Sequence, residues 1–284
     1  MDMCNITVAV ILLFASLPTS MSFRAYVLRH GQTNYNANEI EQGSSDFSRL
    51  TELGHQQATD AYQALFDNTS SPRGRGADKI VERTITSIYS SPLTRARQTL
   101  EQLRSADAQR ASSGSSVILP PSDMILNNLR EIDQYDWEGQ GYGELRDQFP
   151  TSWLAWEKGL PDEMMVYETT SPDEEPIEHY PLLEMWDRAD KVWNEILGHE
   201  KQKLDDGEDV VDRTALIVAH GNLGQALLGT ALGKDASSFN NPDSIFGNCG
   251  MCEIEFCDLS NNPRKTAKRW RWRWPVPSEW NELP

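Results

Sequence analysis

Two short apolar runs, separated by most of the chain, end in the same way. Ala25-Tyr-Val-Leu28 delivers Arg29 and His30 into Gly31, and Thr214-Ala-Leu-Ile-Val-Ala219 delivers His220 into Gly221. Apolar runs of this length closed by a glycine turn suit buried strands, and ligand sites of open α/β sheets lie at the carboxyl edge of such strands. A histidine there can attack phosphorus, and an adjacent arginine can grip a phosphoryl group through paired charge-assisted hydrogen bonds. Gly31 is expected to let the backbone turn close to that anion. In a chain with five histidines, two strand ends that both carry one are hard to ascribe to packing.

The segments between and after these runs alternate in period. Thr51 reads as a helix cap before an apolar face of Gly54, Ala58, Ala61, Tyr62 and Leu65. Thr84 to Tyr89 reads as a strand leading through Pro92 into a helix, which sets Arg95 near a helix N-terminus, where the dipole and its guanidinium act on one anion. Arg97 and His55 fit a solvated surface, His199 the end of a helix, and the Ser-rich stretch Ser105 to Ser116 a loop. Leu129-Arg-Glu-Ile-Asp133 brings carboxylates after another apolar piece, one of which can act as a general acid. From Tyr142 to about Tyr180 the pattern gives two short helices and an acidic loop, either a surface insertion beside the site or a mobile lid. Leu182, Trp186, Ala189, Trp193, Ile196 and Leu197 make the apolar face of a long helix, and a helix from Asn222 to Leu232 and a strand from Met251 to Phe256 follow. The order predicts a three-layer α/β/α sandwich with right-handed crossovers and a mostly parallel central sheet. Lys268-Arg-Trp-Arg-Trp-Arg-Trp274 alternates strictly, which fits a last strand with tryptophans on a buried face and arginines on a solvated one, closed by Pro275 and Pro277, ahead of the alternative of a nucleic-acid or membrane patch.

The 284 residues can fill a full core, and the net charge of -17 argues against nucleic acid or an anionic membrane as the main partner. A small anionic substrate stays compatible, since a few arginines focused in a cleft reverse the local potential. Ile6 to Leu17 is apolar, short for a membrane span and within the range of a signal-peptide core, with small residues at Ser16, Thr19, Ser20 and Ser22. Asp2 is the only charged side chain before Arg24, so residues 1–22 read either as a targeting segment, for plastid or secretory route, or as an extension upstream of a cytoplasmic start at Met21. Residues 23–284 then form one domain with the insertion at about 142–180. Asn68-Thr-Ser70 is a glycosylation sequon of consequence only on the secretory route. Cys249-Gly-Met-Cys252 has redox or zinc spacing, but no second pair completes a ligand set, and structural thiols are expected.

Arg29-His30-Gly31, the Gly43 loop, Ser91-Pro-Leu-Thr-Arg95, Leu129-Arg-Glu131 and Ala219-His220-Gly221 stand in the order of the histidine phosphatase superfamily, also called phosphoglycerate mutase-like, which the chain resembles from about Phe23 to Trp274. Within it, Gln42-Gly-Ser-Ser-Asp-Phe-Ser48, His179-Tyr-Pro181 and Asn248-Cys-Gly250 look like the plant 2-carboxy-D-arabinitol 1-phosphatase-like group, from which Gly221 and the acidic insertion depart. The resemblance implies attack by His30 to give a phosphohistidine, with Arg29, Arg95 and His220 on the phosphoryl oxygens and Glu131 as proton donor and acceptor. It implies no metal and no cofactor, and it places Asn36, Gln42, Gly43, Thr33 and Gly221 on the substrate side, with His179 either reaching substrate or packing a loop. Hydrolysis of a small sugar phosphate or sugar-acid phosphate is the leading expectation. A mutase, for which the adjacent arginine pair after Glu131 is missing, and a non-catalytic binding module are the alternatives.

Overall fold

The computed structural model describes residues 22–66, 84–116, 118–207, 212–257, 259, 267–276, 278 and 281–282. The possible targeting segment, the sequon at Asn68 and Pro277 lie outside them. Strand β1 (Ser22–Arg29) leads through the single turn α1 (Asn34–Ala37) to α2 (Glu52–Phe66), and β2 (Ser87–Ser90) leads to α3 (Thr94–Ser112) and β3 (Met124–Ile125). Next come α4 (Tyr142–Gln148), α5 (Pro150–Lys158), a hairpin of β4 (Val166–Glu168) and β5 (Ile177–His179), and the long α6 (Pro181–Asp205). Then β6 (Asp212–Ala219), α7 (Gly221–Ala231), β7 (Met251–Phe256), β8 (Ala267–Trp274) and β9 (Asn281–Glu282) complete the order.

The main sheet runs β3-β2-β6-β1-β7-β8-β9, with β3, β2, β6 and β1 parallel and β7, β8 and β9 added antiparallel. Side-chain alternation on β1 shows why the sheet must be covered on both faces. Phe23, Ala25 and Val27 pack with α6 and α7, while Tyr26 and Leu28 pack with α2 and α3. β6 divides likewise, Ala215, Ile217 and Ala219 to one side and Leu216 and Val218 to the other. The three-layer arrangement follows. Parallel pairing in register, Arg29 opposite Ala219, brings the ends of β1 and β6 to the same edge.

Some local expectations change. The Ser-rich stretch is helical to Ser112, because Ala106 and Asp107 are buried and the Asp107 carboxylate accepts from Tyr62 Oη and from the Ile118 and Leu119 amides. His199 lies inside α6 with its ring parallel to that of Tyr89, and Arg97 pairs with Ser90 and Asp123. The acidic loop contains the β4–β5 hairpin, whose Val166 is buried in the main core. On β8 the arginine face is not solvated. Arg271 and Arg273 reach the buried Glu253, and Arg269 reaches Glu255. A bulge that leaves Arg273 unpaired moves Trp274 to the face opposite Trp270 and Trp272.

Candidate active site

His30 is pinned at the end of β1: its amide donates to Ala219 O at 3.1 Å and its carbonyl accepts from Cys249 N at 3.1 Å. Its Nδ1 lies 2.8 Å from Gly31 O. A carbonyl can only accept, so Nδ1 carries the proton and Nε2 keeps its lone pair. His220 caps α7, with Nε2 2.7 Å from Ser91 Oγ and Nδ1 buried without a protein partner. The two rings meet edge to face, centroids 5.2 Å apart. Burial, then the charges of Arg95 and Arg29, holds His30 well below the usual imidazole range, and burial with Arg95 does the same for His220.

Arg29 Nη1 donates to Phe246 O at 2.6 Å, and its buried Nε has no partner. A Cβ on Gly221 would stand 3.1 Å from that Nε, so the glycine makes room for the guanidinium. Arg95, fully buried, donates to Ser45 O and Gly43 O at 2.7 Å each, and burial brings it down to about 10. It therefore braces the Gln42–Ser48 loop while lining the cavity. Gly43 sits at φ +47°, in the region that favours glycine. Gly31 has a different task from the one expected. Its amide donates to Thr99 Oγ1, and an added Cβ would strike Gly54 O at 2.4 Å, so it permits α2 to pack against the turn.

Glu131 occupies the amino end of α7, where helix amides lack internal partners. Its Oε1 accepts from Leu223 N at 2.9 Å and Ile132 N at 3.0 Å, and Oε2 from Asn222 N at 3.1 Å. Arg188 holds the segment from behind through Glu131 O and Asp133.

One cavity of about 400 Å³ is lined by Arg29, His30, Asn36, Gln42, Gly43, Arg95, Glu131 and Gly221, and His220 stands beside His30 under it. Thr33 and His179 do not line it. Thr33 is buried behind the wall, its hydroxyl 3.0 Å from Gln42 Oε1 and capping α1 through Asn36. His179 sits on the hairpin, between Glu168 and Glu184 and stacked on Tyr135 at 3.7 Å. Of its two expected roles, the geometry gives it loop packing.

Sequence reading missed the rest of the wall: Glu41, Tyr142, Trp153, Trp156, Glu157, Asn222, Gln225, Asn240, Ile245 and Phe246. Asn222 follows the His220-Gly221 motif and Glu41 precedes the Gln42-Gly43 pair, and such adjacency is the signal the sequence offers for them. Glu41 is buried, accepts from Gln42 N and Gly43 N, and is pushed up to about 7 by burial, with Glu131 adding to the rise. Cys249 and Cys252 are buried free thiols, and among the described residues no cluster of three or more His, Cys, Asp or Glu is arranged to hold a metal ion. Among the same residues no helix is long and apolar enough to cross a membrane.

A cavity at the carboxyl edge of a parallel sheet, with two imidazoles and two guanidiniums at one end and a carboxylate beside them, is a site for an anionic group. The chain belongs to the histidine phosphatase superfamily (branch 1), whose family model matches residues 25–270. It is 30% identical over 241 residues to 2-carboxy-D-arabinitol-1-phosphatase of Triticum aestivum, covering 84% of this chain and 38% of that protein. The chain thus spans about two fifths of the length of the plant relatives it matches. It is 29% identical over 241 residues to glucosyl-3-phosphoglycerate phosphatase of Mycolicibacterium vanbaalenii, 85% of each chain. The native structure of a mycobacterial glucosyl-3-phosphoglycerate phosphatase shares the fold, with a TM-score of 0.60, 24% identity and coverage of 88% of this chain and 97% of that one.

Proposed function

We propose that this chain is a phosphomonoesterase working through a phosphohistidine on His30. The observation that carries the reading is the Nδ1–Gly31 hydrogen bond, which leaves Nε2 of a neutral imidazole as nucleophile among Arg29, Arg95 and His220. Nε2 attacks phosphorus in line and the bond to the leaving oxygen breaks. Arg29 and Arg95, with the unpartnered His220 Nδ1, stabilise charge on the phosphoryl oxygens. Glu131, as the carboxylic acid, gives its proton to the leaving oxygen. Its carboxylate then takes a proton from the water that attacks the phosphohistidine, which releases phosphate and restores the acid. Asn36, Gln42, Gly43 and Gly221 hold the substrate around this centre, and Thr33 supports Gln42.

The substrate class is a small sugar phosphate or sugar-acid phosphate, the range named in the plant and mycobacterial relatives, and 2-carboxy-D-arabinitol 1-phosphate belongs in the panel that tests it. A screen of phosphorylated sugars and sugar acids for phosphate release, with chelator present, tests the reading. Release without a bisphosphate activator and a trapped label on His30 are expected. Transfer between positions of one substrate would make the chain a mutase, and no turnover across the panel would favour a binding module.

A further inference from the structure

The cavity is polarised. Among the described residues lining it, the arginines are Arg29 and Arg95, both at the end holding His30 and both already tied to backbone carbonyls. The far wall carries aromatic faces and one acid, Glu157. Trp153 lies 5.6 Å from Tyr142 and donates its Nε1 to Glu157 Oε1 at 2.8 Å. Trp156 packs on Phe239 at 4.9 Å, and its carbonyl accepts from Asn240 Nδ2 at 2.8 Å. Asn240 N donates to Gln225 Oε1, so the Gln225 Nε2 amide remains as a donor at the wall. Glu41 belongs to the inner side of the cavity, within electrostatic reach of Arg29 and Glu131, its Oε1 held by the Gln42 and Gly43 amides. Arg146 lies over the Trp153 ring at 5.5 Å, but it is exposed and does not line the cavity.

We infer that this outer half is a subsite for the uncharged, polyhydroxy alcohol part of the ester, and that it disfavours esters whose alcohol carries a second anion. A sugar ring would lay its apolar face on the indole of Trp156 and direct hydroxyls to Glu157, Gln225 and Asn240, the usual pairing of aromatic walls with a few placed polar groups. A carboxylate or second phosphate in the same place would meet Glu157, with no guanidinium or ammonium among the described residues lining the outer wall to receive it, and like charges across an interface select against a partner. The inference rests on the phosphatase reading. It narrows that reading away from the carboxylated esters named in the wheat and mycobacterial relatives.

The test pairs glucose 1-phosphate with glucuronic acid 1-phosphate, which differ by the carboxylate, and uses phenyl phosphate as the reference substrate. Both esters are measured as substrates and as inhibitors of phenyl phosphate turnover. The glucose ester is expected to be preferred at least about tenfold. Glu157→Gln should narrow that ratio. Trp156→Ala should raise KM or Ki for the glucose ester about fivefold or more while leaving inhibition by inorganic phosphate unchanged. Equal or better use of the glucuronate ester by the wild type overturns the inference, as does its loss on Arg146→Ala. If phenyl phosphate is not turned over, the phosphatase reading fails on its own. Calorimetric binding of the two esters to the wild-type protein then still decides the selection, weaker binding of the glucuronate ester supporting it and equal binding sinking it.

Discussion

The two ends of the cavity are built differently. The inner end hangs on β1 and β6, paired in register with Arg29 opposite Ala219, and on the first residues of α3 and α7. The outer end is assembled from α4, α5 and the stretch around Asn240 to Phe246, pieces that meet through indole and phenyl contacts. The difference separates chemistry from choice of substrate. Backbone pairing holds the inner residues in place at the sheet edge, whereas the outer wall is built from side-chain contacts on other elements. Substitutions at the inner end should lower kcat, and those at the outer end should raise KM.

The largest effect breaks the inner end. His30→Ala should reduce phosphate release by roughly three orders of magnitude or more and abolish the trapped phosphohistidine, with the folded state intact by circular dichroism. Glu131→Gln comes next, with kcat down about 10²- to 10⁴-fold on alkyl phosphates. Its loss on p-nitrophenyl phosphate should be much smaller, because that leaving group needs no proton. A uniform loss on both would mean that Glu131 only anchors α7. Gly221→Ala crowds Arg29 at 3.1 to 3.3 Å and should cost about tenfold in kcat/KM, or about 1.4 kcal/mol.

A smaller effect concerns Glu41, at the boundary between the two ends. Its carboxyl is raised from 4.5 to about 7. The folded state therefore binds more protons than the unfolded chain between these values, and the wild type loses stability as pH rises through about 7. Glu41→Gln should then gain on the wild type, on the order of 1 kcal/mol, between pH 5 and pH 8 in thermal melts. The histidines give the opposite slope: held below their ordinary range, they favour the fold above about pH 6.5 and cost stability as pH falls. The smallest change is expected outside the cavity. His179→Ala should leave kcat/KM within about twofold, since it removes a half-buried stacking partner on the hairpin. A tenfold change there would extend the outer wall to the hairpin.

What could be read from the residues divides along the same line. β1 and β6 were legible because an apolar run must be buried and a glycine must end it, and α2 and α6 because their apolar faces repeat at helical spacing. The cavity wall was not, since Trp153 and Trp156 look like any amphipathic helix until their neighbours are known. The extension of α3 depends on Asp107 receiving amides from Ile118 and Leu119, a contact no local pattern encodes. Similarly, strict alternation in β8 cannot reveal a bulge, which arises from how Met251 and Cys252 meet the strand beside them. Glu41 is a plain case of the same kind. In a polar loop it reads as solvated, and only burial beside Glu131 alters its chemistry.

The central position of β1, flanked by β6 and β7, has a consequence for biogenesis. β1 leaves the ribosome long before either neighbour, since β6 is translated only after α6 and β7 only after α7. Such distant partners slow maturation and leave apolar edges open in the nascent polypeptide. Prematurely terminated products lacking β6 would carry His30 without His220, and the histidine pair would come together late and all at once.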